Sequence, residues 1–124
     1  MEPTRLFVYG TLRRGSHNKF ARLLHSRAEF AGDARLRGCL YRFGWFPGAV
    51  SSCNDGEWIH GELYTMEDPR WILEALDNYE GPSFERVQIE VQRDSGPAVE
   101  AWVYLYRGPI TAAARIRSGD WLRG

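Results

Sequence analysis

One stretch of the chain carries helix signals at both ends, and most of what surrounds it alternates. Asp68-Pro69 supplies a cap followed by a proline at the first helical position, Ile72, Leu73, Leu76 and Tyr79 recur at helical spacing, and Gly81-Pro82 stops the run. A helix over about Pro69 to Glu80 is predicted. Beyond it, Phe84 to Gln92 sets Val87, Ile89 and Val91 against Arg86, Gln88 and Glu90. After a turn at Asp94 to Pro97, a partner strand is expected from about Val99 to Tyr106, giving a hairpin.

The first half reads as strands with one short helix. Arg5 to Tyr9 is apolar and ends abruptly at Gly10; Ser16 is placed to cap a helix carrying Phe20, Leu23 and Leu24. From Glu29 to Phe43, Ala34, Leu36, Gly38 and Leu40 alternate with Asp33, Arg35, Arg37 and Cys39, a strand pattern ahead of a turn at Phe46-Pro47-Gly48. Glu57 to Tyr64 follows as a strand whose Gly61 suggests a close backbone approach or a bend. A short tail helix is expected from Thr111 to Arg117. Strands outnumber helices, so the expected class is α+β, a small closed or curled, mostly antiparallel β-barrel with flanking short helices.

At 124 residues, with no linker, repeat or low-complexity stretch, residues 1–124 read as one domain. The 16 basic residues are balanced by 16 acidic ones, leaving no cationic field to gather phosphate backbones, so no nucleic-acid partner is expected. The longest apolar run is Ala101 to Tyr106 and no signal-like segment opens the chain, so no membrane partner is expected and the protein is placed in the cytoplasm. Cys39 and Cys53 lack CxxC spacing and are expected as free thiols; His17, His25 and His60 form no metal motif, so no metal and no cofactor is expected. Either a monomer or a simple homodimer fits the length.

Candidate chemistry concentrates in two places. A glycine ending a buried strand, as in Tyr9-Gly10-Thr11-Leu12, leaves successive backbone N–H groups unobstructed, and such groups bind anions or developing oxyanions. Taken alone, Gly10 reads as a plain turn rather than as a site, and that is the reading favoured on position. Gly10 and Gly15 have P-loop spacing, but Ser16 and His17 stand where that motif needs lysine and Ser/Thr. Arg13 and Arg14 either steer an anionic substrate or are solvated surface, the reading favoured here. The second place is Glu80, a carboxylate at the negative end of a helix, where the dipole opposes it. It is either a solvated glutamate at a frayed end or a residue kept for another purpose. Asp77 lies three residues earlier; enclosed together by Tyr79 and Phe84, the two would raise each other's pKa by repulsion and desolvation. A Cys53–His60 thiol pair has no helix N-terminus to activate it, and His17 and His25 are expected to be exposed.

Val8-Tyr9-Gly10-Thr11-Leu12-Arg13-Arg14-Gly15, Phe46-Pro47-Gly48, Gly61-Glu62-Leu63-Tyr64, Leu76-Asp77-Asn78-Tyr79-Glu80-Gly81 and Gly119-Asp120-Trp121 occur in that order. The set resembles the γ-glutamylcyclotransferase-like (AIG2-like) family and spans nearly the whole chain. The resemblance implies a small β-barrel whose Tyr9 to Leu12 backbone grips a γ-glutamyl small-molecule substrate, with Glu80 as general base and acid. The implied reaction releases 5-oxoproline and a free amine through attack of the substrate's own α-amine, which needs no protein nucleophile. A binding module that holds a γ-glutamyl or other small carboxylated ligand without turnover is the competing reading. Phe84 stands where the resemblance predicts tyrosine, which bears on the choice of substrate.

Overall fold

The computed structural model describes residues 4–16, 18–44, 46–51, 57–110 and 114–122. In chain order the elements are β1 (Thr4–Val8), α1 (Lys19–Arg27), β2 (Glu29–Arg37), β3 (Cys39–Phe43), β4 (Phe46–Val50), β5 (Trp58–Met66), α2 (Arg70–Glu80), β6 (Phe84–Arg93), β7 (Val99–Tyr106) and β8 (Ala114–Arg115). Neighbouring strands run β1-β5-β2-β6-β7, and a parallel contact of Leu6 with Trp102 closes this set into a five-strand barrel. β4, β3 and β8 continue from β7 as an appended sheet. Among the described residues, every pairing apart from that closure and the parallel contact of Ala49 with Leu105 is antiparallel. The expected α+β barrel is therefore present.

Why β1 reads as unbroken apolar sequence is plain from its surroundings. Phe7 and Tyr9 face the barrel interior with Leu36, Ile59, Leu63, Val91 and Val103, while Leu6 and Val8 face outward against Leu24, Ile72, Leu73 and Leu76 of the two helices. Both faces are covered, so the strand has no solvated side to carry polar residues. Burying each of these large side chains stabilises the fold by roughly 1.5–3 kcal/mol. Gly61 of β5 shows the close approach expected of it: a Cβ there would strike the Val8 carbonyl oxygen and lie 2.6 Å from the Phe7 ring.

The hairpin is in register from Phe84–Tyr106 to Val91–Val99, as predicted. Several local expectations fail for tertiary reasons. Phe46-Pro47-Gly48 is the start of β4, paired with β3, because Pro47 sits where the strand tolerates a missing N–H and Gly48 lets Phe43 and Tyr106 pack close. The cap of α1 is Asn18, whose side chain accepts the Ala21 N–H, and not Ser16. α2 begins at Arg70 with Pro69 at the cap position and no side-chain cap, so Asp68 does not perform that role. In the tail, Ala114–Arg115 pairs with β3 instead of forming a helix, while residues 111–113 lie outside the described set. Cys39 is disulfide-bonded rather than a free thiol; pairing of β3 with β4 folds the following chain back toward it, which linear spacing does not reveal. Cys53 and His17 lie outside the described residues. Among the described residues no helix is long and apolar enough to cross a membrane.

Candidate active site

Strand pairing of β1 ends at Val8, opposite Glu62, and the chain then turns over the mouth of the barrel. Tyr9 is spent on the fold as much as on the site. Its hydroxyl donates to the Tyr104 carbonyl at 2.5 Å and accepts the Ala49 N–H at 3.2 Å, and burial, followed by the charge of Glu80, holds its pKa above the usual phenol value. Among the described residues, no protein group accepts the N–H of Gly10, Thr11 or Leu12. Three consecutive donors are thus available to a ligand. Gly10 is required there because a Cβ would strike the Pro47 side chain.

α2 delivers the opposing group. Its last residue, Glu80, lines a cavity of about 210 Å³ together with Tyr9, Gly10, Thr11 and Leu12. That is below the roughly 300–1,000 Å³ typical of drug-sized ligand sites, which suits a small metabolite. No described protein group donates to the Glu80 carboxylate, and burial pushes its pKa from 4.5 up to about 7. The helix end is tied to the donor turn by the Thr11 and Tyr79 hydroxyls, 2.7 Å apart, and Tyr79 stacks on Phe20 at 4.5 Å. At the rim, Phe46 meets Phe84 edge-on at 6.1 Å.

Asp77 does not share the site with Glu80 as a like-charged pair. Burial alone works against its charge, but the Arg86 guanidinium at 2.8 and 3.2 Å and the Tyr104 hydroxyl at 2.7 Å outweigh that and hold its carboxyl below the usual range. The shift on Glu80 comes from burial, with no contribution from Asp77. Arg13 is not solvated surface: it is buried, bonded to Asp120 at 2.8 Å and to Glu62 at 3.5 Å, and neither it nor exposed Arg14 lines the cavity. His25 is not exposed either; its Nε2 meets the Leu12 carbonyl oxygen at 2.8 Å and its ring stacks on Tyr64. His60 is exposed on β5. Tyr79, expected from the sequence to help enclose Glu80, lines the cavity, and so do Tyr104 and Pro47. Tyr104 sits within the apolar run Ala101 to Tyr106, and nothing local marks Pro47.

A small closed barrel here sets one buried carboxylate against a run of open backbone donors, a class of pocket whose groups are able to hold a small polar ligand and to accept a proton from it. Residues 6–123 match the family described as Gamma-glutamyl cyclotransferase, AIG2-like, and the chain belongs to that family. It is 33% identical over 120 residues to the Gamma-glutamylcyclotransferase family protein YtfP of Escherichia coli, covering 95% of this chain and 96% of that protein. YkqA from Bacillus subtilis superposes with a TM-score of 0.77 at 28% identity, over 98% of this chain and 40% of that one. An AIG2-like protein from Mus musculus does so with a TM-score of 0.70 at 27% identity, over 88% of this chain and 81% of that one.

Proposed function

We propose that the protein is a γ-glutamyl cyclotransferase that releases 5-oxoproline and a free amine from a γ-glutamyl amide. The observation that carries this reading is the placement of Glu80, with its pKa near 7, in one cavity with the free N–H groups of Gly10, Thr11 and Leu12. An α-ammonium near 8 lies about 4 units above an ordinary glutamate; burial narrows the gap to about 1 unit and makes Glu80 a competent base. Glu80 takes a proton from the α-amine, the amine nitrogen bonds to the γ-carbonyl carbon, and a tetrahedral oxyanion forms. The ring nitrogen sheds its second proton to solvent, the bond to the leaving nitrogen breaks as the oxyanion re-forms the carbonyl, and the proton held by Glu80 goes to that nitrogen, giving a neutral lactam and a neutral amine. Because nucleophile and electrophile are tethered in the substrate, the pocket's work is to fold the chain into reacting geometry and stabilise charge. The backbone donors hold the substrate carboxylate or the oxyanion.

The test is mass-spectrometric detection of 5-oxoproline from γ-glutamyl dipeptides, γ-glutamyl-ε-lysine, γ-glutamyl polyamines and glutathione. Wild-type protein is expected to form product with at least one of these, and Glu80→Gln to form none while still binding substrate. Turnover by Glu80→Gln removes Glu80 from the base role. No product from folded wild-type protein on any substrate, with binding retained, supports a binding module in place of the enzyme.

A further inference from the structure

The carbonyl groups of the donor turn are as fully engaged as its N–H groups are free. The Gly10 oxygen accepts the Arg13 N–H at 3.1 Å, the Thr11 oxygen accepts the Asn18 side-chain amide at 2.7 Å, and the Leu12 oxygen lies 2.8 Å from His25 Nε2. In a planar trans peptide the C=O of one residue and the N–H of the next point in opposite directions, so holding the oxygen fixes where the N–H points. Asn18 therefore sets the Leu12 N–H directly. His25 fixes the Leu12–Arg13 peptide, whose N–H reaches back to the Gly10 oxygen and thereby sets the Thr11 N–H. With a carbonyl as its partner, His25 Nε2 must carry a proton.

We propose that Asn18 and His25, neither of which lines the cavity, are positioning residues that aim the Thr11 and Leu12 N–H groups at the ligand. The inference rests on the cyclotransferase reading only for what the donors hold. Both residues belong to one rigid unit. Asn18 is the N-cap of α1 and His25 lies in its last turn, so the helix grips the turn at two points about two helical turns apart. Stacking of the His25 ring on buried Tyr64, with centroids 5.3 Å apart, fixes the second grip. Asn18 thus has two separable duties: its oxygen accepts the Ala21 N–H at 2.8 Å to cap the helix, and its nitrogen holds the turn.

Asn18→Asp separates them, because aspartate caps as well as asparagine but cannot donate to the Thr11 carbonyl. The expected result is a melting temperature lowered less than in Asn18→Ala, which forfeits the cap as well as the grip, with kcat/KM reduced at least about tenfold. At the second grip, His25→Gln, which retains an N–H donor, is expected to keep more activity than His25→Leu. Titration of 15N-labelled protein with 5-oxoproline, following the Thr11 and Leu12 amide resonances, reads the same property without turnover. Wild type that makes no product yet binds 5-oxoproline about tenfold tighter than Asn18→Asp would sustain the positioning role while the cyclotransferase reading fell. Turnover and binding by Asn18→Asp within about twofold of wild type would overturn the positioning role and leave the enzyme reading intact. Wild-type Thr11 and Leu12 resonances that respond to neither 5-oxoproline nor a γ-glutamyl substrate would overturn it too. If Asn18→Asp melts early, the His25 pair decides: equal losses in His25→Gln and His25→Leu count against the proposal.

Discussion

The Thr11 and Tyr79 hydroxyls lie 2.7 Å apart and join the two halves of the site, since Thr11 belongs to the donor turn and Tyr79 directly precedes Glu80. Tyr79→Phe removes this link and keeps the ring on Phe20. We expect a stability loss of about 1 kcal/mol by chemical denaturation, and a fall of about tenfold in kcat/KM as carboxylate and donors lose their mutual register. Full activity in the variant would show that packing alone keeps that register.

Turnover is expected to fall about tenfold for each pH unit below 7, because the base form of Glu80 is then depleted. The same group ties stability to pH. Its folded pKa is raised from 4.5 to about 7 by burial, so its contribution is fully present below 4.5 and is lost as pH rises through 7. Glu80→Gln stays neutral throughout. Its melting temperature should match wild type near pH 4 and exceed it above pH 7, with a free-energy gap of up to ~3 kcal/mol. A gap that does not change with pH would contradict burial as the cause.

Gly10→Ala places a methyl group against the Pro47 ring, where no flexible chain end can move aside. Overpacking of this kind costs about 1–3 kcal/mol, and it pushes the donor turn away from β4. Reduced stability in denaturant together with weakened binding of 5-oxoproline is the expected pair of results. An unchanged midpoint would mean that Pro47 yields.

Features governed by neighbours along the chain were readable in advance. The apolar β1, the helix stopped by Gly81-Pro82, the Val87–Val91 alternation and its hairpin partner, and the open backbone at Gly10 to Leu12 follow from spacing, proline and glycine. Spacing also marked Glu80 as a carboxylate its own helix has no use for. What spacing reports is which side of an element is apolar; it does not report what will lie against that side.

Tertiary structure decided the rest. Asp77 and Glu80 look alike in sequence, yet Arg86 and Tyr104 reach one and leave the other to burial, giving opposite pKa shifts to two carboxylates on one helix. Phe46-Pro47-Gly48 reads as a turn until β3 pairs with it, and Arg13 reads as surface until Asp120 returns from the far end of the chain. Tyr9 bonds a carbonyl 95 positions away, a contact created only when β1 closes the barrel on β7. The sequence by itself determined β1, β5, α2 and the β6–β7 hairpin and offered the groups capable of chemistry, because these depend on local geometry. Only the closed barrel decided which groups are buried, paired or free, because those properties belong to the assembled surroundings.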